Sequence, residues 1–348
     1  MKLSYLHMLH GFKTALAAII AYIITLVFNL EFGYWAVIST VIVMQVYVAD
    51  SIDMCLYRLS GTLIGAVLGV GVMLIMPNTP IGIGIGLFVT IGICAFLTRY
   101  KTRYRMAAIT VVIIIMTGIA DPDIIMFGIS RVIEIGLGII CAFGVSVLVF
   151  PRRKADVLRT RLKDQAQACD RLCHSLVHAF IHKQQHVDEI QVEHLVDQVR
   201  ENQAFLSKIH QHEALIYRLT TDHFQAKVFL MGRAVQNLRT MARILNSLEG
   251  EGHEIIMANE LEAMTRVSGH LLICLVTNNP NLEKEKLARM INELDTRLLG
   301  IRKEGLTARF DLKRLVQVFS FYNSFKYYAE DILAGAERIR AQQNATGS

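Results

Sequence analysis

The 348-residue chain is 53% hydrophobic and carries a net charge of +6, averages that conceal two unlike halves. Residues 1–150 hold eight Lys/Arg and six Asp/Glu, whereas residues 151–348 hold the remaining 28 and 24. The resulting +2 and +4 are too weak to argue for a nucleic-acid partner, and six cysteines with no CxxC argue against a disulfide scaffold. A membrane domain over 1–151, a soluble domain over 152–340 and a disordered tail over 341–348 are therefore expected.

In chain order, apolar runs fall at 14–30, 33–49, 59–76, 81–98, 106–120 and 132–150. Most approach the roughly 20 residues that cross a hydrocarbon core, and continuous apolar runs point to helices, not barrel strands. The first run lacks a small-residue cleavage pattern and reads as a retained span. Lys2 and Lys13 precede span one, and Arg58 follows span two. Arg99, Lys101, Arg103 and Arg105 follow span four, and Arg152, Arg153 and Lys154 follow span six. The intervening connections hold no Lys or Arg, so the positive-inside rule places both termini in the cytoplasm. Against that pattern Arg131, at the outer mouth of span six, is the anomaly.

Two segments are alike. "RLSGTLIGAVLG" from Arg58 and "RVIEIGLGIICA" from Arg131 align Gly65 with Gly138. Upstream, "WAVISTVIV" from Trp35 resembles "RMAAITVVI" from Arg105, with Thr40 opposite Thr110. Spans one to three then look like a copy of spans four to six, and an odd number of spans per copy requires inversion. A 3+3 inverted repeat is a transporter architecture whose site lies near the repeat interface. The second span of each copy is its weakest: Gln45 interrupts span two, and span five is short. Gly61, Gly65 and Gly69 form a small-residue stripe best suited to helix packing.

An arginine in a first turn adds to the positive end of the helix dipole, and two such ends at opposite leaflets favour an anion. Arg131 and Glu134, three residues apart, can also simply pair. Arg58 and Arg131 are thus candidates for attracting a carboxylate, Glu134 for pairing or proton exchange, and Gln45, Thr40 and Thr62 for hydrogen bonds along the way. Trp35 reads as part of an interfacial aromatic belt, or as a stacking surface for an aromatic substrate.

"YWAVISTVIVMQ" followed by "YRLSGTLIGAVLG" resembles the fusaric acid resistance and aromatic acid exporter superfamily, and is similar to the plant aluminium-activated malate transporters. The matching positions are Trp35, Ala36, Val37, Thr40, Arg58, Gly61 and Thr62, and the likeness covers residues 10–153. The resemblance implies a six-span unit followed by a cytoplasmic helical domain, movement of small organic anions, and a homodimer in the bilayer of a bacterial inner membrane.

Residues 152–338 carry helical periodicity, as in Leu158, Leu162, Leu172, Leu176 and Phe180. Breaks near 184–188, 219–222, 249–253, 278–281 and 304–306 suggest about five helices in an antiparallel bundle. His174, His178, His182 and His186 recur every four residues, a spacing that suits two ligands on one metal. Polar residues between them favour a solvated face instead, so no metal and no cofactor is expected. No catalytic motif occurs, so no enzyme is expected. The alternative to transport is a membrane-anchored scaffold or sensor whose bundle binds a partner.

Overall fold

The computed structural model describes residues 2–77, 79–118, 123–182, 187, 189–217, 221–247, 257–277, 283–303 and 312–346. All regular structure among them is helical. The chain divides into two compact units, Met1–Arg153 and Lys154–Ser348.

The first unit contains α1 (Lys2–Val27), α2 (Tyr34–Val43), α3 (Val48–Ile75), α4 (Pro80–Thr98), α5 (Arg103–Thr117) and α6 (Ile124–Leu148). Four of these, α1, α3, α4 and α6, are long and apolar enough to cross a membrane. The other two fall short: α2 has 10 residues and α5 has 15. At about 1.5 Å per residue they reach about 15 and 22 Å, against a core of about 30 Å. The six full-length spans expected from the apolar runs are therefore four long helices and two short ones. The short pair is the pair whose sequences were interrupted. In α2 the helix stops at Val43, and the chain runs without helix through Gln45 before α3 starts. There the Gln45 backbone N–H donates to the Ser51 hydroxyl at 3.0 Å.

Local chemistry sets the turns. Asn29 adopts a left-handed φ of 48°, and Leu30 N–H reaches back to Thr25 O at 3.0 Å while Asn29 N–H meets Leu26 O. This Schellman geometry ends α1 and reverses the chain. Gly33 then lies against the Thr25 side chain where a Cβ would collide. Thr79 caps α4 through Gly82 N–H with Pro80 in the first turn, and Asp123 caps α6 through Met126 N–H.

Packing follows the small residues. α3 lies on α5 along Gly61, Gly65 and Gly69, whose missing Cβ atoms would meet Met106, Ala107, Thr110 and Ile114. α6 lies on α2 where Gly138 meets the backbone of Ala36. α3 also packs on α6, α4 on α5, and α1 on both α2 and α6. The stripe in α3 is thus a close-packing surface. Outward faces carry Ile85, Phe88, Phe96, Val67 and Ile140, all exposed, as lipid contact requires of a multi-pass membrane protein.

The second unit contains α7 (Lys154–Ile181), α8 (Glu189–Lys208), α9 (Ala214–Tyr217), α10 (Asp222–Ser247), α11 (Ala258–Thr277), α12 (Lys284–Lys303) and α13 (Leu312–Thr346). A π turn, Ile209–Glu213, joins α8 to the short α9. The five expected breaks lie wholly or partly outside the described residues, and a described helix ends before each and another begins at its end or after it. The described residues form six rods, with α8, the π turn and α9 taken as one, where about five were expected. α13 continues to Thr346, into the stretch expected to be a disordered tail, because no helix breaker occurs there before Gly347. One apolar core runs through the bundle from Leu158 to Ile339, with Phe180 stacked on Phe321 at 4.0 Å. Glu213 is buried and its carboxylate accepts N–H from Lys154 at 2.6 Å and Ala155 at 3.1 Å, capping α7. Burial raises its pKa, opposed by those same two hydrogen bonds.

Candidate functional site

The buried stripe of α3 runs through Ser51, Cys55, Arg58, Thr62, Gly65 and Gly69, at the three- and four-residue spacing of one helical face. Arg58 sits in the middle of it with no solvent exposure. None of its three guanidinium nitrogens has a hydrogen-bond partner among the described residues, and it has no carboxylate partner there. One turn away, the Thr62 hydroxyl is likewise buried and has no partner among the described residues. Cys55, the preceding turn, belongs to an apolar cluster with Val43 of α2 and Ile135, Ile139 and Ala142 of α6. Trp35 packs on this same cluster. Its indole is half-buried against that cluster. Its N–H and the Ser39 hydroxyl, one turn on along α2, are both buried without a hydrogen-bond partner among the described residues. Two elements in contact, α2 and α3, thus hold four side chains that can donate hydrogen bonds and find no acceptor among the described residues. A buried polar group without a partner costs about 1–3 kcal/mol, and a buried charge more.

Arg131 is equally buried but differently served. Its Nη1 lies 2.9 Å from Glu134 Oε2, and its Nη2 donates to Oε1 at 3.4 Å. The Phe32 ring presents its face at 3.9 Å from the guanidinium carbon, and the Phe127 ring at 4.7 Å. Glu134 Oε1 also accepts Phe32 N–H at 3.3 Å. Of the two arginines, the one that stood out in sequence is paired with Glu134, and the one that looked ordinary has no hydrogen-bond partner among the described residues. Asp121, which lies near Arg131 in sequence, falls outside the described residues.

The remaining polar candidates separate. Thr40 Oγ1 lies 2.8 Å from Ala36 O and 2.9 Å from Gly138 O. It ties α2 to α6, and its hydroxyl is used. Gln45 Nε2 reaches Ile42 O at 3.5 Å from the break between α2 and α3. A cavity of about 550 Å³ opens beside α3 at Leu56, Tyr57 and Ser60, walled by Arg99, Lys101 and Arg103. Sequence reading passed over Phe32, Phe127 and Ser39. Phe127 could have been found, because it precedes Arg131 by four residues on one helix face.

In the bundle, His174 lies 3.7 Å from Asp170, and His178 stacks on His182 with centroids 3.9 Å apart. All three imidazoles are exposed, and His186 falls outside the described residues. Among the described residues no group of three His, Cys, Asp or Glu could hold a metal ion. Cys169 and Cys173 are in the core, and burial pushes the Cys169 thiol up to about 12, as suits inert packing residues.

The family model of the fusaric acid resistance proteins matches residues 7–345. The chain belongs to the fusaric acid resistance protein family. The match takes in both compact units, so the likeness seen over 10–153 was half of it. The chain is also similar to the p-hydroxybenzoic acid efflux pump subunit AaeB of Enterobacter cloacae subsp. cloacae. The two are 27% identical over 161 residues, which cover 42% of this chain and 25% of that protein. The match therefore spans a quarter of that relative's length.

Proposed function

We propose that this protein moves organic carboxylates, aromatic ones among them, across the bacterial inner membrane as an exporter or channel, and that it works as a homodimer with cytoplasmic termini. The observation that carries the reading is Arg58, a guanidinium inside the membrane unit with neither counter-charge nor hydrogen bond among the described residues. A cation kept there at such cost has a use for an anion, because a carboxylate offers it charge and paired acceptors at once. Trp35, Ser39 and Thr62 add donors of the kind a carboxylate or phenol accepts. Arg131 is the second anion-attracting group, held in reserve by Glu134. The efflux role of the relative AaeB agrees with this direction of transport.

The inverted repeat is part of the same proposal. Exchanging α1–α3 for α4–α6 maps the packing onto itself: α1 on α2 becomes α4 on α5, α2 on α6 becomes α5 on α3, and α3 on α6 is unchanged. The contact of Gly65 with Thr110 becomes that of Gly138 with Thr40. Arg58 and Arg131 then occupy equivalent positions from opposite sides, and the short α2 and α5 are equivalent as well. Short or broken helices in matching positions point to the pathway.

The test is carboxylate flux in proteoliposomes. Arg58→Ala and Arg131→Ala should both lower it at equal reconstituted protein. Unchanged flux in Arg131→Ala removes that residue from the pathway, and a wild-type protein that moves no carboxylate overturns the function.

A further inference from the structure

Arg131 is already holding two groups: a carboxylate, from Glu134, and an aromatic ring face, from Phe32. They come from different elements, α6 and the 28–33 turn, and meet because Phe32 N–H donates to the same carboxylate. The Schellman turn at Asn29 and the bare Gly33 position that turn. Glu134 takes the guanidinium through Nη1 and Nη2. Phe32 lies half-buried against its carbon, and Phe127 closes a second side at a right angle, the two rings inclined by 82°.

We propose that Phe32 and Glu134 together are an internal stand-in for an arylalkanoate, a carboxylate joined to an aromatic ring by a short flexible chain, and that such a ligand binds Arg131 by displacing both. This deepens the carboxylate reading above and rests on it for the direction of transport. The flexible chain is required by geometry. In benzoate the carboxylate is rigid and coplanar with the ring. When its two oxygens take the two terminal nitrogens, its ring points away from the guanidinium carbon and cannot reach the place of Phe32. An arylalkanoate can fold its ring back onto the cation while its carboxylate replaces Glu134. Phe127 stays as the fixed wall. Arg58, with no ring against it, has no such preference, so the two arginines differ in what they select.

The experiment is calorimetric titration of the purified full chain with three acids: 3-phenylpropionate, benzoate and butyrate. Phe32→Ala removes the competing ring. A cation–π contact of ordinary strength holds the site closed by a factor of about 3 to 30, so 3-phenylpropionate should bind about 3- to 30-fold tighter. Benzoate and butyrate, which displace only Glu134, should not change. Phe32→Leu keeps the bulk without the ring and should behave as Phe32→Ala, which guards against a variant that merely misfolds. Glu134→Gln should tighten all three acids. If 3-phenylpropionate binding is unchanged or weakened in both Phe32 variants, or no acid binds the wild type, the assignment is overturned. If the binding pattern holds but liposomes show no flux, the assignment stands and the transport function falls.

Discussion

Arg58→Met removes the charge while keeping most of the side-chain volume. Arg58 is fully buried on a face shared with Cys55 and Thr62, and its three nitrogens lack partners among the described residues. Replacing a buried ion pair by apolar groups of similar volume is often neutral or stabilising by about 1–4 kcal/mol, and a buried charge without a partner lacks even the pair's attraction to offset its desolvation. Arg58→Met should therefore raise the unfolding temperature of the detergent-solubilised protein and abolish anion flux. Ligand linkage sharpens the test. An anion bound at Arg58 stabilises the wild type by about 2.7 kcal/mol at a hundred times its dissociation constant. Benzoate should thus raise the wild-type unfolding temperature and have a smaller effect on the variant. Thermal unfolding with and without benzoate measures both. A variant that is less stable, and that still gains the full benzoate shift, would falsify the view of Arg58 as a bare cation awaiting an anion.

Gly138→Ala would drive a Cβ into the Ala36 carbonyl, whereas Gly136 has nothing within 4 Å. Overpacking costs about 1–3 kcal/mol, so Gly138→Ala should reduce monodisperse yield on size exclusion while Gly136→Ala does not. Lys227 is buried, donates to Val276 O at 2.7 Å, and has its pKa lowered by burial to about 8. Its folded pKa lies below the usual 10.5, so between these values the unfolded chain binds the extra proton and stability rises with pH. The slope for one proton is at most about 1.4 kcal/mol per pH unit. Denaturant titrations at pH 8 to 10 should show that rise in the wild type and lose it in Lys227→Met; an unchanged slope refutes the assignment to Lys227.

The two arginines show how far local sequence carries. The i, i+3 pair of Arg131 and Glu134 is a property of one helix, so it could be read before any fold was known. The weakness of the second span in each half was legible for the same reason. Each depends on composition and spacing within a single element. Apolar periodicity also placed Leu158, Leu162 and Phe180 on helices without saying what they touch.

Tertiary structure decided everything that needed two elements at once. Arg58 lacks a partner among the described residues because the face of α3 that carries it is turned onto neighbours that bring it no carboxylate there. Thr40, which looked like a pore residue, has spent its hydroxyl on the α6 backbone because Gly138 lets the helices approach that closely. Phe32, in a connection that read only as free of positive charge, is brought onto Arg131 by a reversal at Asn29. A sequence states which groups are present and how they repeat. Whether a buried charge finds its partner depends on which helix faces meet, and that is fixed by packing alone.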